Sequence, residues 1–125
     1  MLSIITPVFG KSDLTANFVR QISGWLRPDD ELIIIDNNSP DNTLSTLNIL
    51  KKTSPKLNLK IFSHSQNVGF GGANNIGANL AVNNKLLFIS NDVEILGDVV
   101  TSVDNYLEEY PRRAVGPRLL NYNTG

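Results

Sequence analysis

Short apolar runs that stop abruptly at polar residues recur along this chain and constrain its fold. They are rich in isoleucine, leucine and valine, as buried strands of parallel sheets are, and they lie at residues 2–9, 31–36, 57–63, 85–89 and 114–116. Helical spacing of apolar residues separates them, at residues 14–26, 43–52 and 99–110 and in a helix that the glycine-rich loop at residues 65–77 leads into. This alternation predicts an α/β fold with a mostly parallel sheet and helices on both faces.

The size and charge of the chain exclude several classes of protein. Its 125 residues suffice for one domain. A formal net charge of -1 gives no electrostatic case for nucleic acid as the main partner. The absence of cysteine excludes disulfides, thiolate catalysis and cysteine-ligated zinc, and it fits a cytoplasmic protein.

The helical patterns also predict which side chains face the core. Ser12 or Asp13 is expected to cap the first helix. We expect the following apolar residues to point inward: Leu14, Phe18, Ile22, Trp25, Leu26, Leu44, Leu47, Leu50 or Ile49, Ala73, Ile76, Leu80, Val99, Val103 and Leu107.

The run at residues 85–89 ends in Ser90, Asn91 and Asp92, with Glu94 two residues further on. We expect a buried parallel strand whose carboxyl end opens onto a site, since ligands gather there in open α/β sheets. Asp92 and Glu94 would point to the same side if the backbone stays extended. Mg²⁺ takes one or two carboxylates and leaves other positions for water and phosphate oxygens. The alternative is that Asp92 caps the next helix.

Four loops are expected to converge at the edge where the parallel strands end, which we call the carboxyl edge. They would gather amides, carboxylates and one aromatic ring there: Pro7, Phe9, Asp36, Asn37, Asn67, Asn74, Asn75 and Asp92. Such a set suits a nucleotide, because a ring stacks on a base and polar groups read base or ribose. A metal at Asp92 would neutralise a diphosphate.

Other phosphate-binding patterns match less well. The glycine-rich residues carry two glycines of the dinucleotide fingerprint, but Asn74 replaces the third and the segment follows the wrong strand. A dinucleotide enzyme would bind a nicotinamide cofactor. Gly10, Lys11 and Ser12 imitate the end of a phosphate-binding Walker loop, but Ile5 stands where its first glycine belongs.

With these loops assembled, the chain resembles the inverting nucleotide-sugar glycosyltransferases of family 2. The matching segments, in order and spacing, are residues 3–9, 34–41, 67–77 and 89–94. The resemblance implies the Rossmann-like nucleotide-binding half of an A-type glycosyltransferase fold. Residues 115–120 also look like the segment that follows in bacterial members that build rhamnose- or galactofuranose-containing glycans.

The resemblance assigns roles to positions in this sequence. Pro7 and Phe9 would line the base pocket, and Asp36 with Asn37 would hold base or ribose. The remaining nucleotide-binding candidates are polar or glycine residues under the ribose and diphosphate: Asn67, Gly69, Asn74, Asn75 and Asn91.

Asp92 would be the last residue of the family's Asp-x-Asp metal motif, and it would bind Mg²⁺ or Mn²⁺. Glu94 is a second candidate ligand that either joins the metal or faces away. This sequence departs from the motif at its first position, where Ser90 replaces aspartate. That departure leaves open how strongly metal binds.

The resemblance implies transfer of a sugar from a UDP- or dTDP-linked donor to the hydroxyl of a glycan or lipid-linked acceptor, with inversion, in bacterial cell-surface polysaccharide synthesis. The family's general base is expected beyond Gly125. We therefore expect residues 1–125 to be a donor-binding domain that binds nucleotide but transfers little sugar.

We also expect a cytoplasmic protein that reaches the inner face of the membrane through sequence outside these residues. It would be able to form a homo-oligomer if the truncation exposes an apolar surface. The alternative function is a non-catalytic nucleotide-binding module, a degenerate relative of the enzymes.

Overall fold

The computed structural model describes residues 1–116 and 120. Its strands are β1 (Leu2–Val8), β2 (Glu31–Asp36), β3 (Leu59–Ser63) and β4 (Lys85–Phe88). Its helices are α1 (Ser12–Ser23), α2 (Thr43–Thr53), α3 (Gly69–Leu80) and α4 (Val99–Glu109). All strand pairs are parallel, and the sheet order is β3-β2-β1-β4. The predicted α/β fold is confirmed.

Helices cover both faces of the sheet, as the sequence predicts. On one face α1, α2 and α4 contribute buried side chains to a core with β1 and β2: Phe18, Ile22, Leu47, Val100 and Val103. On the other face α3 is the one helix of the described residues that packs against Ile5, Ile33 and Ile35. β2 is buried along its whole length because it is covered on both faces. In the described residues no helix combines the length and apolar character that crossing a bilayer would need.

α3 lies very close to the sheet because of one glycine. A side chain at Gly77 would overlap the Cγ2 methyl of Ile5 in β1. The helix begins at Gly69, inside the segment predicted to be a loop, so most of the glycine-rich segment is helical. The small residues Ala73 and Gly77 form its buried stripe. The prediction that Leu80 faces inward is wrong, because Leu80 is exposed at the end of the helix.

Pro7 lies within β1 without interrupting its pairing to β2. In a parallel sheet the N–H and C=O of one residue face the same neighbour. The carbonyl of Ile5 accepts from the N–H of Ile89, which follows β4, so Pro7 faces the side on which β4 has already ended. The missing N–H therefore leaves no ladder bond unmade, and the proline is tolerated in an inner strand.

Several local expectations are wrong. Residues 114–116 are exposed and form no strand, because none of the described strands pairs with them. Neither Ser12 nor Asp13 caps α1 as predicted, because the residue at the cap position is Lys11, in the left-handed conformation. Trp25 lies beyond the end of α1 and is partly exposed. Ile49 is exposed, so Leu50 is the inward residue of α2.

β4 is parallel, as predicted, but it is only partly buried. Its last residue, Phe88, is 48% exposed. β4 pairs only with β1 in the described sheet, and an edge strand has one flank uncovered. Residues 117–119 of the family-like segment lie outside the described residues.

At the opposite, amino edge of the sheet, a charged network surrounds Asp104 of α4. Its carboxylate accepts from Lys85 Nζ at 2.8 Å, from the Met1 amine at 3.0 Å and from Arg27 Nη1 at 2.7 Å. Burial alone would raise the pKa of Asp104, but the hydrogen bonds from Lys85, Met1 and Arg27 outweigh it and hold the pKa well below its usual value. The network ties α4 to the starts of β1 and β4.

Gly77→Ala should lower the free energy of unfolding by about 1–3 kcal/mol, because the added methyl overpacks the α3–β1 contact. Gly71→Ala is the matched control in the same helix, since a methyl there meets no atom within 4 Å. It should stabilise by up to about 1 kcal/mol through helix propensity. Urea unfolding measures both, and equal effects would contradict the described α3 packing.

Asp104→Asn should destabilise the fold by about 1–3 kcal/mol at neutral pH, because it removes a charged hydrogen-bond acceptor from three donors. The folded-state pKa is depressed, so this stability is present above the unfolded pKa near 4 and is lost as pH falls. Unfolding free energies of both proteins should therefore converge in acid. A pH-independent difference would count against the network.

Candidate functional site

A cavity of about 260 Å³ lies at the carboxyl edge, where the segments after β1 and β2 meet the start of α3. It is lined by uncharged residues, several of them predicted to bind a nucleotide: Pro7, Val8, Phe9, Asn37, Asn67, Gly69 and Phe70. Phe9 is 52% exposed, which leaves its ring available to a ligand. The chain thus brings together five of the predicted residues from three separate segments.

Asn37 connects these three segments. Its Oδ1 accepts from the N–H of Val68 at 2.9 Å, and its Nδ2 donates to the carbonyl of Gly69 at 3.2 Å. Its backbone N–H donates to the carbonyl of Val8 at 2.9 Å. Asn67 supports the same turn, because its Oδ1 accepts from the N–H of Gly69 at 2.9 Å. Gly69 itself has a φ of 77°, a conformation that favours glycine.

Asp36 is buried and does not line this cavity. Its Oδ1 accepts from the N–H of Ser39 at 3.2 Å, and its Oδ2 accepts from the hydroxyl of Ser63 at 3.3 Å. In this arrangement the carboxylate supports the loop after β2. Its contact with base or ribose stays a prediction.

Asn74 and Asn75 lie on the first turns of α3 and line neither of the two cavities described here. The Oδ1 of Asn74 is buried and has no hydrogen-bond partner among the described residues, whereas Asn75 is exposed. Their place under ribose and diphosphate also stays a prediction.

A second, open cavity of about 540 Å³ lies between α1 and the segment after β4. Asn91, Asp92 and Glu94 line it. The chain turns at residues 91–92 instead of staying extended. The prediction that Asp92 and Glu94 point to the same side assumed an extended backbone, so it does not apply here. Both carboxylates nevertheless border the same cavity. The capping alternative for Asp92 is wrong, because Asp98 caps α4 by accepting from the N–H of Thr101 at 2.9 Å.

α1 holds this segment in place. Asn91 Nδ2 donates to the hydroxyl of the buried Thr15 at 2.9 Å. The N–H of Ile95 donates to Gln21 Oε1 at 2.9 Å. Asp92 lies between these two attachments, and in the described residues its carboxylate has no hydrogen-bond or ion-pair partner, so it is free to accept a cation.

The donor set fits a divalent ion that is completed by other ligands. Asp92 and Glu94 supply carboxylate oxygens, which Mg²⁺ and Mn²⁺ accept. Across residues 1–116 and 120, no group of three or more histidine, cysteine and acidic side chains is placed to hold a metal by itself. An ion here would depend on water and phosphate oxygens for its remaining positions.

Side chains of the protein occupy the N-termini of α2 and α3 at this edge. Asp41 Oδ1 accepts from the hydroxyl of Thr43 at 2.5 Å and from its N–H at 3.0 Å, at the start of α2. These bonds, led by that of the Thr43 hydroxyl, hold the pKa of Asp41 below its usual value. At the start of α3, Asn37 Oδ1 accepts from the N–H of Val68. These two side chains use N–H groups that a phosphate could otherwise bind.

No lysine or arginine of the described residues lines either cavity. A diphosphate bound in either cavity would therefore meet no basic side chain of these residues, and Asp92 and Glu94 are placed to supply positive charge through a bound cation.

Sequence reasoning missed three contributors to the site: Phe70, Thr15 and Gln21. Phe70 is apolar, lies within the glycine-rich segment and is 60% exposed; an aromatic residue at a carboxyl-edge turn is a signal that could have found it. Thr15 and Gln21 act through hydrogen bonds to a loop more than 70 residues away in sequence. No local pattern reports such contacts.

The fold and its edge define a class of protein. The architecture matches A-type glycosyltransferases: S. aureus TarS 1-349 in complex with UDP-GlcNAc superposes with a TM-score of 0.75 at 22% identity, over 93% of this chain and 37% of that one. A mannosyltransferase from Pyrobaculum calidifontis in complex with GDP-Man and Mn²⁺ superposes with a TM-score of 0.73 at 20% identity, over 78% of this chain and 29% of that one.

The sequence profile of Glycosyl transferase family 2 matches residues 3–125, and the chain belongs to that family. It is 26% identical over 102 residues to the GalNAc(5)-diNAcBac-PP-undecaprenol beta-1,3-glucosyltransferase of Campylobacter jejuni. That match covers 82% of this chain and 33% of the relative. The chain thus spans about a third of the length of the relatives it matches.

Thr15→Val should lower the free energy of unfolding by about 1 kcal/mol, because it keeps the shape of the side chain but leaves the Asn91 amide without its acceptor. Hydrogen exchange should be faster at residues 91–95, which lose one of two attachments to α1. Asn17→Ala, on the same cavity wall, is the control. Unchanged exchange in Thr15→Val would show that α1 does not fix this segment.

Proposed function

We propose that the carboxyl edge binds the nucleoside diphosphate of a sugar donor, with a divalent cation, and that the intact protein is an inverting glycosyltransferase. One observation carries the proposal: an uncharged aromatic and amide cavity lies at the same edge as two carboxylates, and no lysine or arginine of residues 1–116 lines either cavity. A base fits the first cavity, and only a cation makes the second suitable for phosphate.

In this proposal Pro7 and Phe9 contact the base, and Asn67 and Gly69 shape the floor near the ribose. Asp92, with Glu94 beside it, would hold Mg²⁺ or Mn²⁺. When bound, the ion would neutralise the diphosphate and make it a better leaving group. The mannosyltransferase structure named above holds GDP-Man together with Mn²⁺, which supports divalent metal use in this fold.

We propose the following transfer for the whole protein. An acceptor hydroxyl attacks the anomeric carbon in line with the bond to the diphosphate. That bond breaks as the new one forms, so the configuration inverts, and the hydroxyl proton passes to a general base outside the described residues. Because the chain spans about a third of its relatives, this activity is proposed for the complete enzyme.

We further propose a UDP- or dTDP-linked donor, of the rhamnose or galactofuranose class, and a role in bacterial cell-surface polysaccharide synthesis. The acceptor would be a glycan or a lipid-linked saccharide. The Campylobacter relative supports this, because its name specifies a saccharide linked to undecaprenol diphosphate. We also propose that the reaction takes place in the cytoplasm, at the inner face of the membrane, where a lipid-linked acceptor would be reached.

The test is a thermal-shift titration of the 125-residue chain with UDP, dTDP, GDP and NAD, each with and without Mn²⁺. A ligand at a hundredfold excess over its Kd stabilises the folded state by about 2.7 kcal/mol. We expect a shift with UDP or dTDP that grows when Mn²⁺ is added. Asp92→Asn should lose the part that depends on Mn²⁺ and keep a weaker, metal-independent part.

Asp29→Asn is the matched control, because Asp29 is an exposed aspartate at the opposite edge of the sheet. It should respond as the unsubstituted chain does. A shift with NAD alone would contradict the proposal in favour of a dinucleotide enzyme. Binding of UDP or dTDP that is indifferent to Mn²⁺ and to Asp92→Asn would favour the non-catalytic nucleotide-binding module.

A further inference from the structure

Asn37 is placed to control the shape of the smaller cavity. Its side chain makes two hydrogen bonds to consecutive residues of the glycine-rich segment, Val68 and Gly69. Its backbone donates to Val8, next to Phe9. The residue therefore joins the segment that carries Phe9 to the segment that carries Phe70.

Asn37 is poorly placed to read a base itself. The side-chain oxygen and nitrogen each have a protein partner, and the residue is only 4% exposed. One N–H of the amide and one lone pair of its oxygen stay unused in these two bonds, but the low exposure of the residue leaves little of either open to a base. The amide is better suited to fix the segment than to bind the ligand.

The segment that Asn37 fixes carries an unexplained aromatic residue. Phe70 directly follows Gly69, whose carbonyl Asn37 binds, and it lines the cavity while 60% of it is exposed. Phe9 lines the same cavity from the segment after β1, which the backbone N–H of Asn37 binds at Val8. Aromatic rings exposed at a cavity offer faces on which a base can stack.

We propose that Asn37 is a positioning residue that fixes the glycine-rich segment, so that Phe70 forms a second aromatic wall, beside Phe9, of the pocket for the donor's base. This inference rests on the proposed function, and it adds Phe70 as the residue that stacks on the base. Asn37 acts through Phe70 and the Val68–Gly69 turn, without a required contact to the ligand.

The substitution Asn37→Asp tests the positioning role at constant shape. An ionised aspartate still accepts from the N–H of Val68, but it cannot donate to the carbonyl of Gly69 and places an oxygen against it. A protonated aspartate restores a donor. Base binding by Asn37→Asp should therefore weaken at neutral pH and recover in part in acid, which a loss of general stability would not do.

The experiment is a calorimetric titration of the 125-residue chain with UDP and dTDP, and separately with inorganic pyrophosphate, all with Mn²⁺. We expect Phe70→Leu to lower the affinity for the better-binding nucleotide by about tenfold, because one stacking contact is lost. Pyrophosphate, which has no base, should bind with an affinity changed by less than about twofold. Phe62→Leu is the matched control, because Phe62 is a partly exposed aromatic on β3 outside the cavity.

Asn37→Asp should lose nucleotide affinity to a similar degree at about pH 7.5. It should regain part of that affinity at about pH 5, because burial and the facing carbonyl of Gly69 raise the pKa of the introduced carboxyl above its ordinary value. Asp36, Asp41 and His64, the titratable groups on the adjoining segments, are present in the unsubstituted chain. Titrating the unsubstituted chain at both pH values therefore corrects the measured affinities for protonation of these groups and of the ligand's phosphate.

Each result decides the question. Unchanged nucleotide affinity in Phe70→Leu or Asn37→Asp would overturn the inference while the proposed function stands. An equal loss of nucleotide and pyrophosphate affinity would also overturn it, by showing a general disruption of the edge. Failure of the unsubstituted chain to bind any nucleotide would contradict the proposed function, and with it this inference.

Discussion

The parallel pairing of β1 with both β2 and β4 is the constraint on which the rest of this structure depends. Parallel strands need crossover connections, so α1, α2 and α3 each return the chain to the amino edge and the four strands all end at the carboxyl edge. The polar residues that follow the strands are thereby gathered at one edge. The charged network around Asp104 fixes the other edge and takes no part in the proposed site.

The electrostatics of the carboxyl edge follow from how the chain caps its own helices. Many phosphate sites use a bare helix N-terminus, but here Asp41 binds the N–H of Thr43 at the start of α2 and Asn37 binds that of Val68 at the start of α3. With these backbone donors used and no basic side chain of the described residues in either cavity, the proposed site would meet an anionic ligand with a carboxylate-held cation. In the proposed site Ser90, in place of a motif aspartate, would make the ligand's phosphate oxygens more important to that ion.

Much of the architecture could be predicted from periodicity, because the apolar runs of β1 and β2 are long and their burial on two faces leaves a clear pattern. The strand expected at residues 114–116 failed because three apolar or small residues do not create a pairing partner. The helical start of the glycine-rich segment was missed because glycine has poor intrinsic helix propensity. Close packing of Gly77 on Ile5 overrides that preference.

The candidate site was predictable in its members but not in their internal contacts. Pro7, Phe9, Asn37, Asn67 and Gly69 line one cavity, as their positions after strands suggested. That Asn37 would use its amide on Val68 and Gly69 depends on the register of separate segments, which no local sequence pattern contains. The same holds for the attachment of the Asp92 segment to Thr15 and Gln21.

The most direct test of the central claim is an amide NMR map of the ¹⁵N-labelled chain with UDP and Mn²⁺. Mn²⁺ broadens nearby resonances, so a metal at the carboxyl edge should broaden Asp92 and Glu94 first, and UDP should shift Phe9 and Phe70. Changes centred on the amino edge, around Asp104, would contradict a nucleotide site at the carboxyl edge.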